Sequence, residues 1–152
     1  MEYDAIAVIT ALLLNAISNI FDGFQAYQAR KSHVDSIDLD YQKRYTELLD
    51  KAQDFYSHIE NPNFDLKKIK SEEVKKDLVH WAEKYFRLCF EQWRASNVSK
   101  SIPKYISKGW DAAIQDALKK PFFQQMWEEK FRERSFNGFA EFNEYVEKVA
   151  SK

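Results

Sequence analysis

Hydrophobic positions along this chain follow two different rules. From Ala5 to Phe21 the sequence reads AIAVITALLLNAISNIF, with no charge. Beyond it, apolar residues recur at helical spacing among many charged ones. Apolar side chains that continuous must leave water, into a bilayer, a protein core or a partner's groove. Ala5 to Phe24 amounts to about 20 residues and about 30 Å of helix, which matches a hydrocarbon core. The second half of the run carries Asn15, Ser18, Asn19 and Asp22. Asn15 and Asn19 are four apart, as are Ser18 and Asp22, so the four form one stripe. In lipid an unpaired amide is costly, so such a stripe is expected to face another helix. The expected partners are therefore membrane lipid and either a larger membrane protein or a second copy. A soluble amphipathic helix closing the core is the other placement. The membrane anchor is the expectation, because the run is long enough to span.

Flanking charge gives this anchor a direction. The start, Met1-Glu2-Tyr3-Asp4, is acidic, and no Ala-x-Ala-like site follows the run, so no cleaved signal is expected. Arg30, Lys31 and His33 follow the apolar segment. The positive-inside rule then puts the N-terminus outside and the C-terminal domain in the cytoplasm, as a single-pass protein.

Ser32 to Asp38 predicts a break, with Ser36 or Asp38 capping the next helix. In that helix Tyr41, Tyr45, Leu48, Ala52, Phe55 and Ile59 step by alternating fours and threes. Asn61-Pro62-Asn63 ends it. Phe64 to Lys70 is a connector with room for one helical turn. Ser71 predicts an N-cap, with Glu72 and Glu73 in the first turn, where acids suit the helix dipole. The helix that follows runs to about Ala95. Its apolar arc, from Val74 and Leu78 through Trp81, Tyr85, Phe86 and Cys89 to Trp93, is wide enough for a central place in a bundle.

Ser96 to Ser101 is a polar loop. Pro103 suits the first turn of a helix carrying Ile106, Trp110, Ala113, Ile114 and Ala117. Pro121 stops that helix and opens another with Phe122, Phe123, Met126, Trp127 and Phe131. Asn137-Gly138 marks a turn before a last helix with Phe139, Phe142, Tyr145, Val146 and Val149. The expected fold is all-α: an N-terminal hydrophobic helix followed by a bundle of about five helices. Residues 1–31 form the anchor helix and its extension, and residues 38–152 form the helical soluble domain.

Composition supports the helical reading and narrows the chemistry. The 152 residues include only Gly 3 and Pro 3, too few turn-makers for a β-sandwich or a Gly-rich nucleotide fold. Aromatics make up 16%, which supplies a core of large side chains. The net charge of -1 offers no basic excess for a phosphate backbone, so no nucleic-acid partner is expected. One cysteine, Cys89, excludes an internal disulfide and a multi-thiolate zinc site.

The order of these signals is similar to that in a known group. A hydrophobic helix is followed by a helix ending at a proline turn. Then come Trp81-x3-Tyr85-Phe86-x3-Phe90, Gly109-Trp110, Pro121-x5-Trp127 and Phe139-x2-Phe142-x3-Val146. The chain resembles an uncharacterised family of short bacterial and viral proteins with one membrane helix and a helical soluble domain. That resemblance implies the same architecture and carries no reaction or catalytic residue.

Candidate chemistry is sparse. Asp77, His80 and Glu83 are three apart and share a helical edge, a spacing open to a base or to metal ligands. A carboxylate-bridged di-iron bundle needs a second such motif, which is missing, so a surface ion pair is the expectation. His58 and Glu60 lie at a helix end, where a cation favours the dipole. Cys89, on an apolar arc with no histidine nearby in sequence, is expected to be buried packing. Lys67, Lys68, Lys70, Lys75 and Lys76 form a basic cluster that is either a solvated face or a contact for anionic headgroups. Glu128, Glu129 and Glu133 alternate with Lys130, Arg132 and Arg134, as on an exposed helix.

No catalytic residue, cofactor site or metal site is expected. The function expected is that of a membrane-anchored interaction protein, an accessory subunit or scaffold. Asn15, Ser18, Asn19 and Asp22 are its interface residues. The alternatives are a small-ligand sensor or enzyme in the bundle using Asp77 and His80, and a membrane-associated exclusion or defence factor.

Overall fold

The computed structural model describes residues 2–98, 102–132 and 139–150, with side chains described from Leu12 onward. Every regular element among them is helical. The chain divides into two compact units, Met1–Ile37 and Asp38–Lys152.

The first helix, α1, spans Glu2–Ala52 without interruption. The break expected at Ser32 to Asp38 is absent. That stretch contains neither glycine nor proline. Serine and aspartate each cost only a fraction of a kcal/mol inside a helix. Once a helix exists on both sides, each further residue adds a hydrogen bond without a new nucleus, so a weak run is bridged. Asp38 does not cap a new helix; its carboxylate accepts a hydrogen bond from the Gln42 amide one turn on, at 2.8 Å. Within the first unit, residues 12–33 are exposed, apolar and polar alike.

The second unit begins with the last turns of α1. After Ala52 the backbone tightens into a 3-10 turn, Gln53–Phe55, and a short helix α2, Tyr56–Ile59. The chain leaves α2 at Asn61-Pro62, where the Asn61 side chain accepts from the Asn63 N–H at 2.9 Å. One 3-10 turn, Leu66–Lys68, occupies the connector and is capped by Asp65. Helix α3 spans Glu72–Asn97 and is capped by Ser71, whose hydroxyl accepts from the Val74 N–H at 3.3 Å. Helix α4 spans Lys104–Leu118. Pro103 stands just before it as the capping residue, one position earlier than the sequence suggested. Helix α5, Pro121–Met126, has Pro121 at its start, as expected. A wider π turn, Trp127–Phe131, extends it, and α6 spans Ala140–Ala150. The expected turn at Asn137-Gly138 lies outside the described residues.

The π turn has a packing reason. Phe123, Trp127 and Phe131 recur every four residues, which would drift around a 3.6-residue helix. The turn closes with the Arg132 N–H donating to the Trp127 carbonyl at 2.9 Å, five residues back. That wider ring keeps Trp127 and Phe131 on the buried side with Phe123.

The core of this unit is largely aromatic. Phe86 on α3 lies 5.2 Å from the Trp127 ring and 5.3 Å from that of Phe131. Tyr85 packs on Phe123 at 4.7 Å, and Phe64 from the connector meets Phe122 edge-on at 4.9 Å. Phe142 brings α6 against Trp93 at 5.5 Å. These edge and tilted arrangements are those aromatic quadrupoles favour. Two polar links fasten the end of α1 to α3. The buried Trp81 indole N–H donates to the Leu48 carbonyl at 2.9 Å, and Arg44 pairs with Glu91 at 2.6 Å.

Candidate functional site

The four residues singled out on the N-terminal helix lie on one exposed strip. With 3.6 residues per turn, Asn15, Ser18, Asn19 and Asp22 fall within about 100° of arc. All four are exposed, and none makes a side-chain hydrogen bond among the described residues. Leu12, Leu13, Leu14, Ile17, Ile20, Phe21 and Phe24 cover much of the remaining circumference and are 57–73% exposed. The core of the second unit is built from residues between Leu48 and Val149 and uses none of them. Between Leu12 and Phe24 the first unit therefore presents a bare apolar arc with one hydrophilic edge.

Among the described residues no helix is long and apolar enough to cross a membrane. The side chains from Ala5 to Ala11, the most apolar part of the run, stand outside that statement. From Leu12 onward the apolar stretch alone is too short to span, because Asn15, Asn19 and Asp22 interrupt it within a few turns.

The histidine edge on α3 lines an open recess of about 550 Å³, where Asp77, His80 and Glu83 meet Lys75, Lys76 and Lys130. His80 and Asp77 are exposed. Glu83 turns to Arg87, whose guanidinium donates to it at 2.7 Å. No group of three or more His, Cys, Asp or Glu able to hold a metal occurs among the described residues. His58 sits edge-on to the Phe64 ring, and Glu60 pairs with Lys120 on the far side of the connector at 2.5 Å. Both act as packing and pairing groups.

Cys89 is buried and forms no disulfide. Burial pushes its thiol up to about 12, and its hydrogen bond with Tyr85 offsets only part of that. It is thus protonated near neutrality and a poor nucleophile. The basic cluster is partly neutralised: Lys75 pairs with Glu72 at 2.6 Å and Lys68 approaches Asp65 at 3.8 Å. In the run of alternating charge, Arg132 bonds Glu128 at 3.0 Å and also Glu147 on α6. Glu133 and Arg134 lie outside the described residues.

No protein-family model, curated protein or solved structure matches the chain.

Tertiary structure assembles one group that sequence reading did not. Between α3, α4 and α6 lies a cavity of about 410 Å³, lined by Gln92, Trp93, Trp110, Asp111, Ile114 and Tyr145 among others. Gln92 is the buried polar side chain of the described core, 9% exposed. The Tyr145 hydroxyl donates a short hydrogen bond to Asp111, whose other oxygen accepts from Gln115 at 2.7 Å. Burial first, and then that bond to Asp111, raises the Tyr145 phenol well above its ordinary range. Asp111 and Tyr145 are 34 positions apart in the sequence. No local spacing rule links them, so no sequence signal pointed to this group.

Proposed function

We propose that this chain is a single-pass membrane-anchored helical interaction protein, a small accessory subunit or scaffold of a larger membrane assembly. The observation that carries the reading is the bare surface of α1 between Leu12 and Phe24. Each large apolar side chain left in water forgoes about 1.5–3 kcal/mol of transfer free energy. Seven of them on one short stretch favour a surface that is covered in the working protein. Their arc covers roughly 200° of the helix, wider than the narrow seam of a two-stranded coiled coil. A solvent of hydrocarbon suits such an arc better than one partner groove.

The polar strip supplies the interaction. Asn15, Ser18 and Asp22 step by three and four residues, the spacing of a helix–helix seam. Amides and hydroxyls facing a second helix in the membrane satisfy one another, and such contacts contribute about 0.5–2 kcal/mol each. Arg30 and Lys31 beyond the apolar zone suit the cytoplasmic boundary. The aromatic-cored second unit then stands on that side.

The test is association in mild detergent. The variant Asn15→Leu/Asn19→Leu keeps the hydrophobic length and removes both amides. It is expected to stay in the membrane fraction while losing at least tenfold in recovery of the partner or of the self-associated form. A variant recovered with its partner undiminished removes the strip from the interface, and wild-type protein found in the soluble fraction removes the anchor.

A further inference from the structure

The cavity between α3, α4 and α6 has the makings of a ligand site, and four observations converge on it. First, its volume of about 410 Å³ falls in the range of small-molecule pockets. Second, the Gln92 side chain lines it while nine-tenths buried, and its amide meets no hydrogen-bond partner among the described residues. The amide opens onto the cavity and so offers a guest both a donor and an acceptor. Third, two tryptophans, Trp93 and Trp110, are among the lining residues. A smaller apolar recess of about 100 Å³, reaching Tyr41, Tyr85 and Cys89, shares Gln92, Trp110 and Ile114 with the cavity wall.

The fourth observation is charge. Lys104 and Lys108 are one turn apart on α4 and both line the cavity. Neither forms an ion pair among the described residues. Lys104 is also the first residue of α4, a helix with no side-chain cap and no acid in its first turn. Neither the capping residue nor the first turn compensates the positive end of the helix, which lies on the same side as two ammonium groups. The one carboxylate in the lining, Asp111, has one oxygen engaged by Tyr145 and the other by Gln115. Its charge remains, so the lining sets two ammonium groups against one carboxylate and keeps a net positive charge.

We propose that this cavity binds a small planar anion: an aromatic or heteroaromatic ring carrying a carboxylate or phosphate. The ring lies against Trp93 and Trp110. The Gln92 amide hydrogen-bonds a polar ring atom or substituent. Lys104 and Lys108 hold the anionic group at the end of α4. The site belongs wholly to the second unit and stands independently of the anchor reading.

Calorimetric titration of the full chain tests it, with indole-3-carboxylate as the probe, indole-3-carboxamide as its neutral counterpart and inorganic phosphate as the anion without a ring. The carboxylate is expected to saturate one site per chain at submillimolar concentration. The carboxamide and phosphate should each bind at least tenfold more weakly. Lys104→Gln/Lys108→Gln changes two exposed side chains, so it is expected to fold normally and to weaken the carboxylate at least tenfold. The variant also controls for partition into detergent, since wild type and variant share the same micelle. Gln92→Leu, checked for folding by its helical circular dichroism, should weaken acid and amide together by a similar factor. The proposal is overturned if the carboxylate does not saturate below millimolar concentration. Equal binding of acid and amide, phosphate binding as well as the ring acid, or a lysine double variant with unchanged affinity would each overturn it too.

Discussion

Cys89 and Tyr145 show how one side chain's surroundings set its chemistry. Both are acids whose neutral form is favoured in the folded state, Cys89 chiefly by burial and Tyr145 by burial and its bond to Asp111. The sign follows from linkage: a group whose folded pKa is raised contributes stability below its unfolded value and loses it as pH climbs toward the folded one. For Cys89 that window runs from the ordinary 9.0 up to about 12. Thermal melts are expected to fall as pH rises above about 9. Cys89→Ala should show a shallower decline, with the raised tyrosines Tyr41, Tyr85 and Tyr145 accounting for what remains. At pH 8 an aromatic disulfide reagent should label Cys89 only as the protein unfolds in denaturant, and rapid labelling of the native state would contradict its burial. The apolar arc around position 89 made that burial legible from sequence. The roles of Gln92, Asp111 and Tyr145 were not legible, because each is defined by partners on other helices.

At the level of elements, boundaries were readable wherever a residue acts on its own backbone. Ser71 caps α3 through its own hydroxyl, Pro121 opens α5 because its missing N–H is not needed there, and Asn61-Pro62 terminates α2. The stretch from Ser32 to Asp38 was misread as a break because low helix propensity was treated as a stop. Propensity costs of tenths of a kcal/mol do not outweigh helix propagation from both sides; a missing donor and a steric clash do. This gives a direct test. Asp35→Pro should cost about 3 kcal/mol of helix stability and lower the helical circular dichroism, since it removes a bond inside α1. If the segment were a loop, the same change would leave both nearly unaltered. The π turn after Met126 was equally invisible in sequence terms. A four-residue recurrence of Phe123, Trp127 and Phe131 reads as ordinary helical spacing until the core demands that all three stay buried.

For the molecule as a whole, the contrast is between a unit that satisfies its own apolar surface and one that does not. The second unit packs an aromatic core, with Tyr56 and Tyr105 left on its surface, while the large apolar side chains from Leu12 to Phe24 are exposed in the first. The proposed topology makes a prediction at this scale. A protease added to intact cells should leave the second unit uncut, and the same protease after permeabilisation should degrade it; digestion in intact cells would reverse the orientation.

Sequence by itself determined the helical class, most helix ends and the polar strip on α1. All of these follow from periodicity, capping and proline chemistry within a few residues of one another. Tertiary structure alone decided which aromatic faces meet, that Gln92 is largely buried beside them, and that α3, α4 and α6 leave a cavity where their packing is incomplete. Side chains distant in sequence interact only once the chain has brought their helices together, and no local pattern encodes the shape of the space left between them.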